Sequence, residues 1–479
     1  MASKNAVQII EEKPMNIVAV VEFGTTEIRA IAVERTKSPE GIISQRIIAK
    51  EKLKTTQPGW KEGNVRRAQI KNITDTAQGL RTILKHLAFV IGTKYNEGKQ
   101  FDHEKIKVEF KKVYVTLSGR GITTHQYTTS RRLNGGIISE SNIKEIESEC
   151  ISSVNKTNKK VLNLIPIKYM VDDDECDTPI GCQCDVVEAT YAIVVGDETC
   201  LDALNKVMEA AHVELAGWIL APIATAEAYL GDGKGLGNVI IDFGAESTSI
   251  IIYYKNAMRF CYVLPGYASN AINQVLENRN IIPQEAETLK IRYANCFLSD
   301  NASDVTISLT ESKKEISKKT IADISAKVID TIIQYVEACI EKSGLRVGSN
   351  LETVSLVGKG CQLRGLSEKL SFELGLHASR INLCDKYKKM LDLPEIPDSL
   401  KKPTSEMTKE EKERFVNLTL EYKDIQYSYA NVIGAVSIAT ESCFSCKQLA
   451  LPPEEKKQTE SLPGKLWGFV KTGLLEDPR

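Results

Sequence analysis

Two stretches of the chain carry the same pattern of hydrophobic and polar positions. Residues 16–34 contain two β-rich runs separated by Gly-Thr-Thr, and residues 238–254 again contain a strand-like run, a polar turn with glycine and a second run. Runs of this kind separated by small and polar residues predict β-hairpins. The second hairpin repeats the first, so the pattern predicts two lobes that open with the same unit.

Helical periodicity appears between and after strand-like runs. From Ile73 to Ala88 the apolar residues recur at helical spacing, and Asn72 is a suitable N-cap. Residues 108–195 contain further strand-like runs around a polar helical stretch at residues 142–155. We predict an α/β fold that includes a small α/β subdomain in this region.

The amino-acid composition changes over the last hundred residues. Residues 383–424 are rich in Lys, Glu, Pro and Ser, which predicts a solvated insertion. Residues 449–462 hold two prolines among charged residues and predict a linker.

The final segment predicts an amphipathic helix. At about 100° per residue, its large apolar side chains fall within one arc of about 160°. These side chains are Leu466, Trp467, Phe469, Val470 and Leu474. Lys465 and Lys471 flank the arc, where they can reach anionic lipid head groups. We expect a helix that lies in the plane of a membrane; docking of the same face onto the protein core is the alternative.

Composition narrows the class of protein. The 479 residues are 26% charged and 42% hydrophobic, which argues against wholesale disorder and against an integral membrane protein. Because 62 basic and 63 acidic side chains nearly cancel, we expect no nucleic acid partner. Residues 1–14 lack the apolar core of a secretion signal, and the scattered cysteines favour reduced thiols.

The turns of the two hairpins carry the candidate chemistry. Each has an acidic residue, a glycine two positions later and then hydroxyl side chains. Glycine lets backbone N–H groups approach a phosphate, and hydroxyls add donors. The first turn supplies Glu22, Gly24, Thr25 and Thr26, and the second supplies Asp242, Gly244, Ser247 and Thr248. Two such hairpins face to face would hold a nucleotide phosphate tail, and the two acids suit a hydrated Mg²⁺.

The order of these segments resembles the actin/Hsp70/sugar-kinase superfamily, in particular the FtsA family of bacterial cell-division proteins, over most of residues 16–479. Segments similar to the whole superfamily are the two phosphate turns, residues 222–228, residues 286–290 and residues 356–365. Segments similar to FtsA in particular are residues 117–120, 161–169, 179–181 and 427–434.

The resemblance implies the remaining site residues. Glu287 and Lys290, three apart on a predicted helix, would contact the ribose of an adenosine, and Gly358 and Gly360 would lie on the adenosine side. ATP is the implied nucleotide, with Mg²⁺ held through water by Glu22 and Asp242.

The resemblance also implies an actin-like two-lobed fold of duplicated ribonuclease-H-like subdomains, with an FtsA-type small subdomain and a C-terminal amphipathic helix. In FtsA terms, subdomain 1A would comprise residues 14–117, 197–233 and 425–446. The other implied units are the small subdomain 1C at 118–196, subdomain 2A at 234–256 and 331–385, subdomain 2B at 257–330, the charged insertion at 386–424, the linker at 447–463 and the membrane helix at 464–479.

Several positions depart from the superfamily pattern. Ala245 and Glu246 stand where the second turn commonly has glycines, and Glu27 adds a carboxylate near the expected triphosphate. Lys359 interrupts the glycine pair on the adenosine side, and Ala221 precedes Pro222 where related hydrolases place a water-orienting side chain. We therefore expect an ATP-binding scaffold with at most slow ATPase activity, and assign no catalytic residue.

The function implied by the resemblance is that of a membrane tether. The protein would bind the C-terminal peptide of FtsZ on residues 257–330, self-associate into filaments and hold the division ring on the cytoplasmic face of the inner membrane at midcell. Other division proteins are further candidate partners. A cell-shape filament similar to MreB is the nearest alternative, followed by an actin-fold kinase.

Overall fold

The computed structural model describes residues 17–37, 43–55, 65–98, 108–154, 158–231, 233, 237–297, 304–390 and 403–440. The linker and membrane helix expected at residues 447–479 lie outside this part of the chain. Among the described helices, none is both long and apolar enough to cross a membrane.

The described part of the chain alternates strands and helices. The strands are β1 (Ile17–Phe23), β2 (Glu27–Lys37), β3 (Ile43–Lys54), β4 (Val65–Arg66), β5 (Gln69–Ile70), β6 (Lys112–Leu117), β7 (Thr123–Ile137), β8 (Lys159–Val171), β9 (Asp174–Glu175), β10 (Gln183–Asp197), β11 (Glu214–Leu220), β12 (Asn238–Phe243), β13 (Ser247–Tyr254), β14 (Ala257–Pro265), β15 (Thr306–Leu309), β16 (Lys314–Ser317), β17 (Thr353–Val357) and β18 (His377–Arg380). The helices are α1 (Ile73–Asn96), α2 (Glu140–Ser152), α3 (Glu198–Ala211), α4 (Ala221–Leu230), α5 (Ser269–Glu277), α6 (Pro283–Tyr293), α7 (Lys318–Ser343), α8 (Leu366–Leu374), α9 (Asp385–Met390), α10 (Lys409–Ser428) and α11 (Ala430–Thr440).

The first lobe is built on a five-stranded sheet in the order β11-β6-β1-β2-β3. β1, β2 and β3 pair antiparallel, whereas β6 and β11 run parallel to β1. The predicted helix begins after Asn72, whose side chain accepts a hydrogen bond from the N–H of Asp75, and continues to Asn96 because Ile91 extends its buried face. This apolar face covers the sheet and forms one core with it.

The second lobe repeats this arrangement. Its strands follow the order β18-β17-β12-β13-β14, with β12, β13 and β14 antiparallel and β17 and β18 parallel to β12. The hairpin β12–β13 takes the place that β1–β2 has in the first lobe. The duplication predicted from the two similar hairpins is therefore present as a duplicated five-stranded topology.

The small α/β subdomain is inserted within the first lobe, between β6 and α3. β7, β10, β8 and β9 form an antiparallel sheet, and α2 packs on one face of it with its own core of buried residues. The pairing of Tyr262 in β14 with Thr123 in β7 joins this sheet to that of the second lobe, which gives nine continuous strands. The subdomain therefore continues from the first lobe through the chain and pairs with the second lobe through the backbone.

Two helices cross closely in the first lobe near the cleft. A Cβ atom on Gly434 of α11 would lie 1.9 Å from the carbonyl oxygen of Ala224 in α4. Glycine is required here because any side chain would push the helices apart. The crossing fixes the start of α11, which carries Asn431, beside the end of β1.

Part of the charged insertion expected at 386–424 is helical. Thr408 caps α10, and its side chain and that of Glu411 bond to each other's backbone N–H groups in a capping box. Ile425, Gln426 and Ser428 are buried at the end of α10 nearest the core, whereas most of its other residues are exposed or half-buried. The polar composition thus reflects an exposed helix.

Candidate functional site

A cavity of about 520 Å³ lies between the two similar hairpins. Its lining includes eight of the residues predicted from sequence for a nucleotide site. These are Glu22, Gly24, Thr25 and Thr26 of the first lobe and Asp242, Gly244, Ser247 and Gly358 of the second. The structure therefore brings both turns to one cleft, as expected for a site that holds a ligand between the lobes.

The two turns have the same backbone geometry. The N–H of Gly24 donates to the carbonyl oxygen of Glu27 at 3.1 Å, and the N–H of Gly244 donates to that of Ser247 at 3.1 Å. A Cβ atom would lie 2.8 Å from the accepting oxygen at Gly24 and 2.7 Å from it at Gly244. Both glycines are therefore required for the tightness of the turn.

An arginine that the sequence reasoning did not single out occupies the first turn. Arg29 is the antiparallel partner of Glu22 in the β1–β2 register. Its guanidinium lies 3.2 Å from Glu22 and 3.1 Å from Glu27, with only 12% of the side chain exposed. The two carboxylates raise the pKa of Arg29 although burial alone would lower it. The signal was available in the hairpin register, which sets Arg29 opposite Glu22.

Glu22 also has a partner from the far end of the chain. The side-chain amide of Asn431 at the start of α11 donates to Glu22 Oε1 at 2.9 Å, while Arg29 donates to Oε2. Thr225 of α4 donates to Asn431 and lies 3.4 Å from Asp242. A polar chain therefore connects the acids of the two turns. Thr225 and Asn431 were not predicted, because only the fold brings them to the cleft.

The second acid, Asp242, has a raised pKa. Burial raises the pKa of Asp242 to about 6, and the negative charge of Glu22 adds to this effect, while the contact with Thr225 opposes it. A Cβ atom on Gly358 would lie 2.5 Å from Asp242, so this glycine permits the close approach of the following loop. Asp242 thus carries less negative charge than an exposed aspartate near neutral pH.

Glu27 and Lys359, two departures from the superfamily pattern, form an ion bridge between the lobes. Lys359 Nζ lies 3.3 Å from both Glu27 and Asp424. Burial alone would raise the pKa of Glu27, but Arg29, Lys359 and Lys52 outweigh it and hold the pKa below its usual value. The charge that Glu27 brings to the cleft is therefore balanced by neighbouring cations.

Glu246, a third departure, makes a second contact between the lobes. One carboxylate oxygen accepts from the backbone N–H of Arg67 at 2.8 Å, and the other lies 3.9 Å from the guanidinium of Arg66. Arg67 and Ala68 have positive φ angles in the tight β4–β5 turn. The carboxylate is thus directed to the opposite lobe as a docking contact.

Four predicted site residues have other surroundings. Thr248 is fully buried and donates to the carbonyl oxygen of Tyr267, and Gly360 packs against Phe243. Lys290 forms a 2.6 Å ion pair with Glu287 and bonds to Asn270 of α5. Among the described residues, the lining of the 520 Å³ cavity includes neither member of this pair. The seven membrane residues predicted from Lys465 to Leu474 lie outside the described part of the chain.

The two acids do not fit a hydrated Mg²⁺ well. Both oxygens of Glu22 already accept N–H groups, from Arg29 and Asn431, and Asp242 is partly buried with a raised pKa. Mg²⁺ requires charged or water-bridged oxygens in a near-octahedral arrangement. Within the described ranges, no group of three or more His, Cys, Asp or Glu side chains is placed to hold a metal ion.

No side chain suited to activating water was identified at the connecting helix. Ala221 lines the cavity at the start of α4. Glu227, the next acid along this helix, is buried and accepts a hydrogen bond from Tyr387 at 2.8 Å. This carboxylate contributes to packing between α4 and α9.

Comparison with known proteins supports the resemblance seen in the sequence. The family model "Cell division protein FtsA" matches residues 239–392, which include the second phosphate turn and Gly358. FtsA of Bacillus subtilis (strain 168) is 23% identical over 341 residues, covering 68% of this chain and 70% of the relative. FtsA of Helicobacter pylori (strain ATCC 700392 / 26695) is 26% identical over 292 residues, covering 58% of this chain and 56% of the relative. Over these regions the chain is similar to FtsA proteins.

The similarity to FtsA agrees with the fold. A solved structure described as a PilM–PilN type IV pilus biogenesis complex contains a chain that aligns with 89% of this chain and with all of its own length. The TM-score is 0.56 at 15% identity, so the likeness concerns the fold alone. The predicted actin-like α/β fold is confirmed, and the sequence matches favour FtsA over the alternative of a cell-shape filament.

Proposed function

We propose that this FtsA relative is a cell-division scaffold that binds FtsZ, self-associates into filaments and tethers the division ring to the cytoplasmic face of the inner membrane. The observation that carries the proposal is the duplicated pair of glycine turns on one cleft in a chain whose sequence relatives are FtsA proteins. Relatives that share a fold and collinear motifs over more than half of the chain support a shared role more strongly than fold alone.

The cleft is proposed to bind ATP. The backbone of Gly24 and Gly244 and the hydroxyls of Thr25, Thr26 and Ser247 would contact the phosphates. Arg29 and Lys359 line the same cavity, and both are ion-paired with Glu27. Because α4 begins with Ala221 at the cavity, we propose that nucleotide acts as a bound ligand that is hydrolysed slowly if at all. Glu287 and Lys290 remain proposed ribose contacts, which their mutual ion pair would hold in place.

The FtsZ site is proposed on the subdomain that carries β15, β16 and the start of α7. Four lysines are exposed there, and they attract the acidic peptide that an FtsZ tail would present. These are Lys313, Lys314, Lys318 and Lys319. Lys318 also stacks on Tyr293, with Nζ 5.3 Å from the ring centroid, which adds an aromatic surface.

The membrane contact is proposed for the last segment of the chain. Trp467 and Phe469 on its apolar arc would enter the head-group boundary, and Lys465 and Lys471 would face anionic lipid. A single short helix of this kind binds reversibly, so filament formation would strengthen attachment through avidity.

Liposome co-sedimentation tests the whole proposal. Full chain, a truncation after Lys457 and the point variant Phe469→Glu are each mixed with anionic vesicles, with and without FtsZ. The full chain is expected to pellet with the vesicles and to carry FtsZ with it, whereas the truncation and Phe469→Glu stay in the supernatant.

One control variant separates membrane binding from FtsZ binding in this experiment. Lys314→Glu should pellet as the full chain does but carry less FtsZ, because it reverses one charge of the proposed peptide site. Equal pelleting of full chain and truncation would refute the tether, and FtsZ left in the supernatant by the pelleted full chain would refute the adaptor role.

A further inference from the structure

The β4–β5 hairpin of the first lobe reaches across the cleft to the second lobe. Its strands, Val65–Arg66 and Gln69–Ile70, are joined by Arg67 and Ala68. Glu246, in the turn between β12 and β13, accepts a hydrogen bond from the backbone N–H of Arg67 at 2.8 Å. We propose that this hairpin is a lid over the ligand cavity, held closed by Glu246, and that ligand enters and leaves when the contact with Arg67 breaks. The inference rests on the proposed nucleotide binding and concerns the rates of ligand exchange.

The hairpin forms part of the wall of the cavity of about 520 Å³. Its residues in this lining are Val65, Ala68, Gln69 and Ile70. On the opposite lobe, Ala245 and Ser247 line the same cavity, and Glu246 stands between them in sequence. The contact between Glu246 and Arg67 therefore joins the lobes beside the second phosphate turn, where a lid would control access to it.

The hairpin is a sheet of its own, separate from the two large sheets. Its short strands are paired only at Val65 with Ile70 and at Arg66 with Gln69. Val65 is buried and Ile70 packs against the core of the first lobe, whereas Arg67 at the tip is exposed. Because an isolated two-stranded hairpin is marginally stable, contacts with its surroundings decide where the tip lies. The base is thus fixed to the first lobe, and the tip can move without disturbing either large sheet.

The turn at the tip needs support from outside the hairpin. Arg67 and Ala68 have φ angles of 48° and 58°, in the left-handed region that residues other than glycine, asparagine and aspartate rarely adopt. Two-residue hairpin turns with positive φ at both positions favour Asn-Gly, and neither Arg67 nor Ala68 shares that preference. Glu246 supplies support through the N–H of Arg67. Loss of this one hydrogen bond should therefore shift the hairpin toward open conformations.

Glu246 is itself held in position for this contact. Its carbonyl oxygen accepts from the N–H of Gly266 at 2.7 Å, and only 13% of its side chain is exposed. The carboxylate oxygen that does not accept from Arg67 lies 3.9 Å from the guanidinium of Arg66. The glycine that the superfamily pattern commonly has at this position could not make either side-chain contact. The lid is therefore a property that Glu246 gives to this cleft.

Amide hydrogen exchange of the full chain without nucleotide tests the contact. Glu246→Ala removes the acceptor, so exchange at residues 66–69 should accelerate at least about fivefold. Glu246→Gln keeps a side-chain oxygen that can accept from Arg67, and its exchange should stay within about twofold of the parent. Glu277→Ala, which removes an exposed acid at the end of α5 in the same lobe, is the matched control and should exchange as the parent does. Unchanged exchange in Glu246→Ala would overturn the lid.

Stopped-flow fluorescence with N-methylanthraniloyl-ATP in MgCl₂ tests the effect on ligand exchange. In Glu246→Ala the association and dissociation rate constants should both rise at least about fivefold, while the dissociation constant changes less than about threefold, because a lid controls passage in both directions. Faster association with unchanged dissociation would mean that Glu246 only repels the phosphates, and would overturn the proposal. Rate constants equal to those of the parent would overturn the lid alone. Absence of binding by the parent would overturn the proposed nucleotide site and the lid with it.

Discussion

At the scale of single residues, Gly24 and Gly244 shape the site because neither has a Cβ atom. Each brings its own Cβ position to within 3 Å of a carbonyl oxygen three residues later, where only hydrogen fits. The acid, glycine and hydroxyl pattern predicted both turns from the sequence. The same pattern could not predict Asn431, because its contact with Glu22 joins residues 409 positions apart.

Gly24→Ala should damage the first turn. The methyl group would lie 2.8 Å from the Glu27 carbonyl, which forces the turn open and should cost about 1 to 3 kcal/mol of unfolding free energy. Nucleotide affinity, measured by fluorescence titration with N-methylanthraniloyl-ATP, should fall at least about tenfold.

Gly92→Ala is the control for this change. Gly92 lies in α1 with no atom within 4 Å of the added methyl group, so the variant should keep its nucleotide affinity and gain up to about 1 kcal/mol of stability. Urea unfolding measures both variants. A Gly24→Ala protein as stable and as tightly binding as the parent would contradict the account of the turn.

Glu147 of α2 is a second residue whose surroundings predict a measurable effect. Burial raises its pKa to about 7 from an unperturbed 4.5, although hydrogen bonding by Tyr191 and the charge of Lys144 oppose the shift. The folded protein therefore holds this proton more tightly than the unfolded chain does. Its contribution makes the free energy of unfolding fall as the pH rises from about 4.5 to about 7.

Glu147→Gln should remove that slope. At pH values above 7 the variant avoids charging a buried carboxylate, so it should be more stable than the parent by about 1 to 3 kcal/mol. Below about pH 4.5 the two should converge. Glu140→Gln, an exposed change on the same helix, is the control and should leave the pH dependence unchanged. Denaturant unfolding measured across this pH range tests the prediction. If the free energies of unfolding of parent and Glu147→Gln change with pH in parallel, Glu147 does not have the expected effect.

At the scale of elements, local signals predicted the hairpins and the capped start of α1, because alternation, turn residues and capping act within a few positions. The α10 helix shows the limit of such signals. Its sequence is polar and preceded by prolines, so composition alone favoured a solvated insertion. The spacing of Thr408 and Glu411 is nevertheless a local signal for a helix start, and the structure forms a capping box there.

The loop after β17 connects the two lobes through Lys359, and its removal should loosen the cleft. Lys359→Ala eliminates the bridges to Glu27 and Asp424. Because the lysine side chain is 45% exposed, global stability should change by less than about 1 kcal/mol. Amide exchange at residues 24–26 should nevertheless accelerate several-fold, because the lobes open more often.

Lys50→Ala provides the matched comparison for this loop. Lys50 forms a similar exposed pair with Glu421, but both partners belong to the first lobe. Hydrogen exchange followed by mass spectrometry should show no acceleration at the turn for Lys50→Ala, and raised salt should reduce the difference between parent and Lys359→Ala. Equal amide exchange at residues 24–26 in both variants would contradict the proposal that Lys359 holds the two lobes together.

At the scale of the whole molecule, one five-stranded topology occurs twice and a cleft lies between the copies. The sequence predicted the duplication because each copy opens with the same hairpin. It did not predict how the lobes meet, since the bridge from Lys359 to Glu27 spans 332 positions and depends on the closed arrangement of the cleft. The departures from the superfamily pattern were therefore recognisable in sequence, but their role as contacts between lobes required the structure.

The central claim, a cell-division scaffold related to FtsA, is tested most directly by the position of the protein in living cells. A fluorescent fusion that leaves residues 464–479 intact is imaged together with FtsZ, before and after FtsZ depletion. A ring at midcell that coincides with FtsZ and disperses on depletion is the predicted result. Patches along the side wall that persist without FtsZ would contradict the claim and favour a cell-shape filament.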